Sequence, residues 1–226
     1  MNKNYTEIAF ILDRSGSMGS CRDAAIEGFN RFLLDQQQTP GTAKLTLILF
    51  DDKYLVPVQA LPVQEVLGLN AETYEPRNTT ALLDAIGTTI HDLGARLSAI
   101  PEHDRPGQVI VTILTDGLEN ASHKFTWKGI SALIKHQTDI YKWTFLFLGA
   151  NQDAIATAAQ LSIAGGNAAT YAADRVGTRS SHASTSRKVK GLRMAASGHA
   201  SRQERLDAAA PLSEILKEEE QKEQEK

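Results

Sequence analysis

Cysteine is almost absent from this sequence, since Cys21 is the only one among 226 residues. A single cysteine excludes an intrachain disulfide framework and a cysteine zinc cluster. The six histidines show no spacing that is typical of metal ligands, and we interpret them as surface or packing residues. Cys21 itself is interpreted as a small, partly buried packing residue near the start of a helix.

Long apolar runs are also missing. No stretch approaches the length that crosses a membrane. The segment Met1–Glu7 lacks the basic start, apolar stretch and small-residue cleavage site of a signal peptide. We therefore expect a cytoplasmic protein without membrane partners.

Charge of one sign is not in excess either. Lys and Arg number 24 against 27 Asp and Glu, and the formal net charge of −3 argues against generalised nucleic-acid binding. The Gly-x-Gly-x-x-Gly fingerprint and the phosphate-loop pattern are both absent. The apolar content of 42% is that of a globular protein with a substantial core.

Apolar strands alternate with amphipathic helices over most of the chain. Apolar runs predict strands at 8–13, 45–50, 109–114, 143–148 and 168–171. Apolar residues at helical spacing predict helices at 24–33, 81–97, 127–136 and 153–161. Pro57 makes Tyr54–Val58 an edge strand, antiparallel to the strand before it. The pattern predicts an α/β fold with a doubly wound, mostly parallel sheet, one antiparallel edge strand and helices on both faces.

The composition changes after about residue 174. Residues 1–174 are predicted to form one folded domain, and residues 175–211 a polar and basic extension that is partly helical. Residues 212–226 are predicted to be a charged tail, either disordered or a frayed helix, because Lys217–Lys226 contains only Lys, Glu and Gln.

Hard oxygen ligands follow the first predicted strand in Asp13-Arg14-Ser15-Gly16-Ser17. One carboxylate and two hydroxyls suit Mg²⁺, Mn²⁺ or Ca²⁺ and disfavour zinc. Thr115-Asp116-Gly117 follows the central strand, and Thr79-Thr80 precedes a helix. In a parallel sheet, Asp13 and Asp116 would both lie at the carboxyl edge, where such folds bind ligands.

The three motifs, in this order, resemble the metal-ion-dependent adhesion site of the von Willebrand factor A domain family. The resemblance covers roughly residues 5–172 and implies a Rossmann-like fold. The ligands that it implies are Asp13, Ser15, Ser17, Thr80 and Asp116. Related sequences typically have Gly-Thr before an Ala-Leu or Pro-Leu helix start, which favours Thr80 over Thr79. The resemblance further implies a non-enzymatic protein-interaction module, in which a Glu or Asp of a partner protein completes the coordination of Mg²⁺.

Two other functions stay open at this point. A metal-assisted phosphohydrolase would need a base or nucleophile beside the ion, yet no histidine or lysine occurs in the motifs. A nucleic-acid binder would use the basic segment after residue 174, where interleaved aromatic residues for stacking are absent. The cations of that segment are Arg187, Lys188, Lys190 and Arg193.

Several polar residues near the motifs have structural interpretations. Each motif alone fits an ordinary loop or a helix cap, with Asp13 or the threonines as caps. Asp51 and Asp52 are interpreted as a polar turn, Asp84 as an acid that complements a helix dipole, and Asn151 or Asp153 as a cap. Four residues are candidates for a rim that selects a partner, with a solvated loop as the alternative: Glu119, Asn120, Ser122 and His123.

Overall fold

The computed structural model describes residues 1–150 and 153–225, and its centre is a six-stranded sheet in the order β3-β2-β1-β4-β5-β6. The strands are β1 (Asn2–Asp13), β2 (Thr42–Phe50), β3 (Tyr54–Pro62), β4 (Pro106–Thr115), β5 (Thr144–Ala150) and β6 (Ala168–Tyr171). Neighbouring strands are parallel except for β2 and β3. The predicted mostly parallel sheet with one antiparallel edge strand is therefore confirmed.

The strand order reverses next to β1. The chain places β2 and β3 on one side of β1 and then returns to place β4 on the other side. Ligands in open α/β sheets bind at the carboxyl ends of the strands at such a reversal. The two predicted metal-binding carboxylates, Asp13 and Asp116, lie at this point of the sheet, at the end of β1 and directly after β4.

Helices cover both faces of the sheet. They are α1 (Arg22–Gln38), α2 (Leu82–Ser98), α3 (Trp127–Tyr141), α4 (Ala154–Gln160), α5 (Arg175–Ser197), α6 (Arg202–Ala209) and α7 (Leu212–Gln224). One core cluster joins the sheet to α1, α5 and α7, and the other joins it to α2, α3 and α4. Phe10 and Ile11 of β1 point to opposite clusters, as alternation along a strand requires. None of the described helices is long and apolar enough to cross a membrane.

Several predicted boundaries differ from the structure by a few residues. Helix α3 continues past His136 to Tyr141 and ends where Lys142 adopts a left-handed conformation with φ of 58°. The backbone N–H of Trp143 then donates to the Gln137 carbonyl at 3.2 Å, so a carbonyl near the end of the helix has a partner beyond it. Asp153 caps α4 as predicted, accepting from the Ala156 N–H at 2.9 Å, while Asn151 lies outside the described residues.

Residues 175–211 are more than the partly helical extension that the sequence predicts. Helix α5 packs against α1 and contributes a buried face that includes Ser181 and Thr185. These hydroxyls donate to carbonyls of their own helix, Ser181 Oγ to Thr178 at 2.7 Å and Thr185 Oγ1 to Ser181 at 2.8 Å. Because small side chains with satisfied hydroxyls can be buried, a segment of polar composition fills a helix position beside the sheet.

The basic segment is also used inside the molecule. Arg187 bonds to Asp207, Glu218 and Glu219 at 2.7–2.8 Å. Lys188 Nζ donates to carbonyls at the end of α6, and Arg193 is buried and donates to the Gln36 carbonyl at 2.9 Å. These cations are already paired, so the segment offers little support for the nucleic-acid alternative.

The predicted disordered or frayed tail at 212–226 differs from the structure at its start. The first turn of α7 buries Leu212, Ile215 and Leu216, each at most 2% exposed, and Leu212 and Leu216 join the cluster with β1. The charged composition of the last ten residues hides this short apolar turn. The domain boundary at residue 174 stays a prediction.

Candidate metal centre

Asp13 is held at the end of β1 by groups from two elements. Its carboxylate is fully buried, and Oδ1 accepts from the Ser15 backbone N–H at 2.7 Å. Oδ2 accepts from the Thr115 hydroxyl at 2.5 Å, which ties β1 to the adjacent end of β4. Both carboxylate oxygens are therefore oriented by donors, and the next residue after Thr115 is the second predicted carboxylate, Asp116.

Three hydroxyls converge beside these carboxylates. Ser15 Oγ and Ser17 Oγ are 3.2 Å apart, and Ser17 Oγ donates to Asp116 Oδ1 at 2.6 Å. A Cβ atom placed on Gly117 would lie 2.8 Å from Thr80 Oγ1, 3.6 Å from Ser17 Oγ and 3.7 Å from Ser15 Oγ. The hydroxyls thus surround a small space that exists because residue 117 has no side chain.

Thr80 rather than Thr79 faces this space. Thr80 is 3% exposed and its Oγ1 lies beside Gly117, whereas the neighbouring Thr79 is exposed. The structure therefore brings together all five residues that the sequence predicts: Asp13, Ser15, Ser17, Thr80 and Asp116.

The electrostatics of the two carboxylates favour a nearby cation. Burial raises the pKa of Asp13 to about 6, against the hydrogen bonds from Thr115 and Ser15, and the charge of Asp116 raises it further. Burial also raises the pKa of Asp116, while the hydrogen bond from Ser17 opposes this. Both shifts mean that negative charge is poorly solvated here, so a bound cation would stabilise the ionised pair.

The donor atoms fit a hard divalent cation. The five side chains offer carboxylate and hydroxyl oxygens alone, the ligands that Mg²⁺, Mn²⁺ and Ca²⁺ prefer. Within residues 1–150 and 153–225, no group of three or more His, Cys, Asp and Glu side chains is placed to hold a metal ion. The oxygen-rich cluster that the described residues do contain has two carboxylates and three hydroxyls.

Thr80 is held in place by the loop that follows β4. Its N–H donates to Asn120 Oδ1 at 2.9 Å, and the Asn120 N–H donates to the Thr80 carbonyl at 3.1 Å. Asn120 is one of the predicted candidates for the rim, and these bonds give it a structural role beside the cluster. These two bonds link the loop that begins at Asp116 to the loop that carries Thr80.

Two further acids fasten the same loop to the start of α2. Glu119 accepts from the Leu83 N–H at 2.8 Å and from the Ser122 N–H at 2.7 Å. Asp84 accepts from three successive backbone N–H groups, of residues 123–125, at 2.9–3.0 Å. Asp84 is in the first turn of α2, as predicted. Its carboxylate, however, accepts these hydrogen bonds from the loop after β4 and not from its own helix.

Asp51 has a role that sequence reasoning missed. The predicted polar turn is present, since Asp51 Oδ1 accepts from the Lys53 N–H at 2.7 Å. The carboxylate is also fully buried, and Oδ2 lies 3.1 Å from Arg77 Nε and 3.0 Å from Arg14 Nη2. The Arg14 contact is an ion pair whose alignment falls short of a hydrogen bond. Asp51 therefore joins the loops that carry Ser15 and Thr80.

A parallel-sheet register would have revealed this pairing. Asp13 lies opposite Phe50 in the β1–β2 ladder, so the next residues of the two strands, Arg14 and Asp51, must be neighbours. The sequence shows the two charges, but their relation depends on a register that composition alone does not determine.

Comparison with known proteins finds no matching family model and no matching curated protein. Solved structures do match. The mussel byssus proximal thread matrix protein 1 is 15% identical with a TM-score of 0.55, over 85% of this chain and 46% of that one. A von Willebrand factor type A protein from Catenulispora acidiphila is 15% identical with a TM-score of 0.54, over 82% and 42%. The manganese-loaded TRAP protein of Plasmodium vivax is 14% identical with a TM-score of 0.53, over 75% and 69%.

This chain spans less than half the length of the first of these structures. One structure of the mussel protein is described as having a zinc-occupied metal-ion-dependent adhesion motif. At such low identity the likeness to these structures concerns the fold alone, and the sheet order agrees with it. The chain has the von Willebrand factor A fold.

Proposed function

We propose that this chain is a metal-dependent protein-interaction module that binds an acidic side chain of a partner protein. The residues that would hold the cation are Asp13, Ser15, Ser17, Thr80 and Asp116. The observation that supports this most strongly is the convergence of three hydroxyls beside Gly117, with both carboxylates hydrogen-bonded at the same edge.

A bound Mg²⁺ or Mn²⁺ would supply a concentrated positive charge to which an incoming carboxylate can coordinate. The protein contributes oxygen lone pairs through the hydroxyls without adding negative charge. Asp13 shares its own charge with the donors Ser15 N–H and Thr115 Oγ1. Asp13 and Asp116 together balance a divalent cation, but if only one of them coordinates it directly, the cation keeps a net positive charge toward its open position. An acidic partner then gains more from the site than a neutral one does.

The proposed cation binding is tested by isothermal titration calorimetry of the full chain with Mn²⁺ and Mg²⁺. We expect one site per chain in the unchanged protein and loss of binding in Asp13→Asn. Asp104→Asn is the matched control, because the Asp104 side chain is 61% exposed and belongs to a different part of the molecule. Zn²⁺ is included as a competitor. Equal affinity of Asp13→Asn and the unchanged chain would contradict the assignment.

The partner part is tested separately with a displayed library of random peptides. Selection in Mn²⁺ should enrich peptides that contain Asp or Glu, and excess EDTA should release them. A Thr80→Ala variant should lose the same peptides. Enrichment that is unchanged by EDTA would refute carboxylate docking while leaving the metal site itself intact.

The proposal assigns no catalytic residue. The carboxylates that a phosphohydrolase would need as base or nucleophile already accept hydrogen bonds from Ser15, Ser17 and Thr115. The cytoplasmic location stays a prediction.

A further inference from the structure

Two buried tyrosines reach the strand ends that carry the metal-binding carboxylates. Tyr74 belongs to the connection between β3 and α2, is fully buried, and donates its hydroxyl to the Asp13 carbonyl at 2.6 Å. Tyr171 ends the edge strand β6, is 3% exposed, and donates to the Thr115 carbonyl at 3.3 Å. The two hydroxyls therefore bond to equivalent positions at the ends of β1 and β4.

These carbonyls lie just beyond the end of the β1–β4 ladder, although Asp13 still pairs with Phe50 of β2 and Thr115 with Gly149 of β5. The β1–β4 pairing ends at Leu12 and Leu114, one residue before Asp13 and Thr115. Where the β1–β4 ladder no longer supplies a donor, a buried carbonyl needs another one, and a phenol hydroxyl donates to each of these two carbonyls. Each bond fixes one peptide group: the group that follows Asp13, and the group that joins Thr115 to Asp116.

The position of Tyr74 is determined by contacts of its own. Its backbone N–H donates to the Asn70 carbonyl at 2.9 Å, and its carbonyl accepts from Arg22 Nε at 3.3 Å. The backbone of Tyr74 is therefore held by its loop and by Arg22 of α1, and its ring is fully buried, independently of any ligand at the site. A donor that is fixed in this way can hold the Asp13 backbone before a cation arrives.

We propose that Tyr74 and Tyr171 are positioning residues of the metal site, which orient Asp13 and Asp116 through their backbone rather than by touching the cation. This inference rests on the proposed function. Partners that orient metal ligands typically contribute about tenfold to a hundredfold to metal affinity. Tyr74 should have the larger effect, because its bond is shorter and ends on a ligand residue itself.

A purely structural role makes a different prediction. If the hydroxyls only satisfy buried carbonyls, removing either one lowers the stability of the fold and leaves metal affinity unchanged. Tyr54 provides the comparison, since its hydroxyl pairs with Thr89 Oγ1 at 3.3 Å on the α2 face of the sheet. Removing the Tyr54 hydroxyl deletes a part-buried phenol hydrogen bond without a link to either carboxylate.

The experiment measures Mn²⁺ affinity by calorimetry and stability by urea unfolding, for the full chain and for Tyr74→Phe, Tyr171→Phe and Tyr54→Phe. We expect affinity to fall about tenfold or more in Tyr74→Phe and by less in Tyr171→Phe. Tyr54→Phe should bind like the unchanged chain, whatever its stability.

The results distinguish failure of the tyrosine positioning role from failure of the proposed metal-dependent function. Unchanged Mn²⁺ affinity in a folded Tyr74→Phe overturns the positioning role and leaves the proposed function standing. If Tyr74→Phe does not fold, unchanged affinity in Tyr171→Phe overturns the inference instead. Failure of the unchanged chain to bind Mn²⁺ overturns the proposed function, and this inference with it.

Discussion

Thr80 and Asn120 exchange two hydrogen bonds, one in each direction, between the start of α2 and the loop after β4. The exchange connects the only site hydroxyl that comes from outside the first motif with the loop that begins at Asp116. Because Asn120 bonds to backbone atoms of Thr80, it restrains the threonine without occupying the hydroxyl. The hydroxyl therefore stays free to face the space beside Gly117.

Asn120→Ala should weaken metal binding through Thr80. The substitution removes the acceptor of the buried Thr80 N–H, so the threonine loop is less well held. We expect Mn²⁺ affinity to fall by about tenfold and the free energy of unfolding to fall by about 1 kcal/mol. Asn2→Ala is the control: its side chain accepts from the Asn4 N–H at the opposite end of β1. Equal Mn²⁺ affinities in both variants, measured by calorimetry, would contradict the restraint.

Gly117→Ala should close the space around which the hydroxyls gather. The new methyl group would lie 2.8 Å from Thr80 Oγ1, closer than side-chain carbons approach such atoms, so the hydroxyl must move away. We expect Mn²⁺ affinity to fall by more than about tenfold, with an unchanged circular dichroism spectrum. Gly94→Ala in α2 is the control, because its added Cβ meets no atom within 4 Å. A Gly117→Ala protein that binds Mn²⁺ normally would argue against this cradle as the metal site.

The fold and the grouping of the five candidate residues could be predicted for related reasons. Apolar runs such as Val109–Leu114 identify central strands, and alternation with helices places their carboxyl ends together. Asp13 directly follows such a run and Asp116 follows one after Thr115, so the topology brings them side by side. The contact partners of Thr80 and Asp51 depend on loop paths and strand register, which one sequence does not reveal.

The segment from residue 175 onward is harder to predict, because hydropathy treats hydroxyl side chains as exposed. Ser181 and Thr185 are buried after donating to carbonyls of their own helix. The charged end of α7 likewise conceals its apolar first turn. Burial of the α5 hydroxyls depends on local hydrogen bonds, and burial of the α7 turn depends on a few apolar residues. Neither feature is evident from the average composition of the segment.

Deleting residues 212–226 should destabilise the protein strongly. It removes Leu212, Ile215 and Leu216 from the core, and burial of each such side chain stabilises by roughly 1.5–3 kcal/mol. We expect a loss on the order of 5 kcal/mol in urea unfolding. Deleting only residues 220–226 is the matched control, since it keeps the apolar turn and the acids that bond to Arg187. Similar stabilities of the two truncated chains would mean that α7 does not pack as described.

His182 should make the fold sensitive to acid. The ring is buried beside Phe10 and Gly28, and Nδ1 lies 2.9 Å from the Thr178 carbonyl. Burial lowers its pKa to about 4, against an ordinary value of 6.5. The unfolded chain therefore binds a proton at a pH where the folded chain does not. Above pH 6.5 the neutral His182 costs the folded state nothing. As the pH falls from 6.5 toward 4, protonation of the unfolded chain lowers the free energy of unfolding by on the order of 3 kcal/mol.

The measurement compares urea unfolding at pH 7.5 and pH 4.5 for the unchanged chain and His182→Asn. Asp13 titrates in the opposite sense, because its raised pKa stabilises the folded state as the pH falls. The Asp13 contribution is the same in the unchanged chain and in His182→Asn. The difference between their losses of stability on acidification therefore measures the contribution of His182. We expect the variant to be less stable at pH 7.5 but to lose less on acidification. His103→Asn, whose side chain is 82% exposed, should follow the unchanged chain. An identical loss in all three proteins would show that His182 is not the acid-sensitive group.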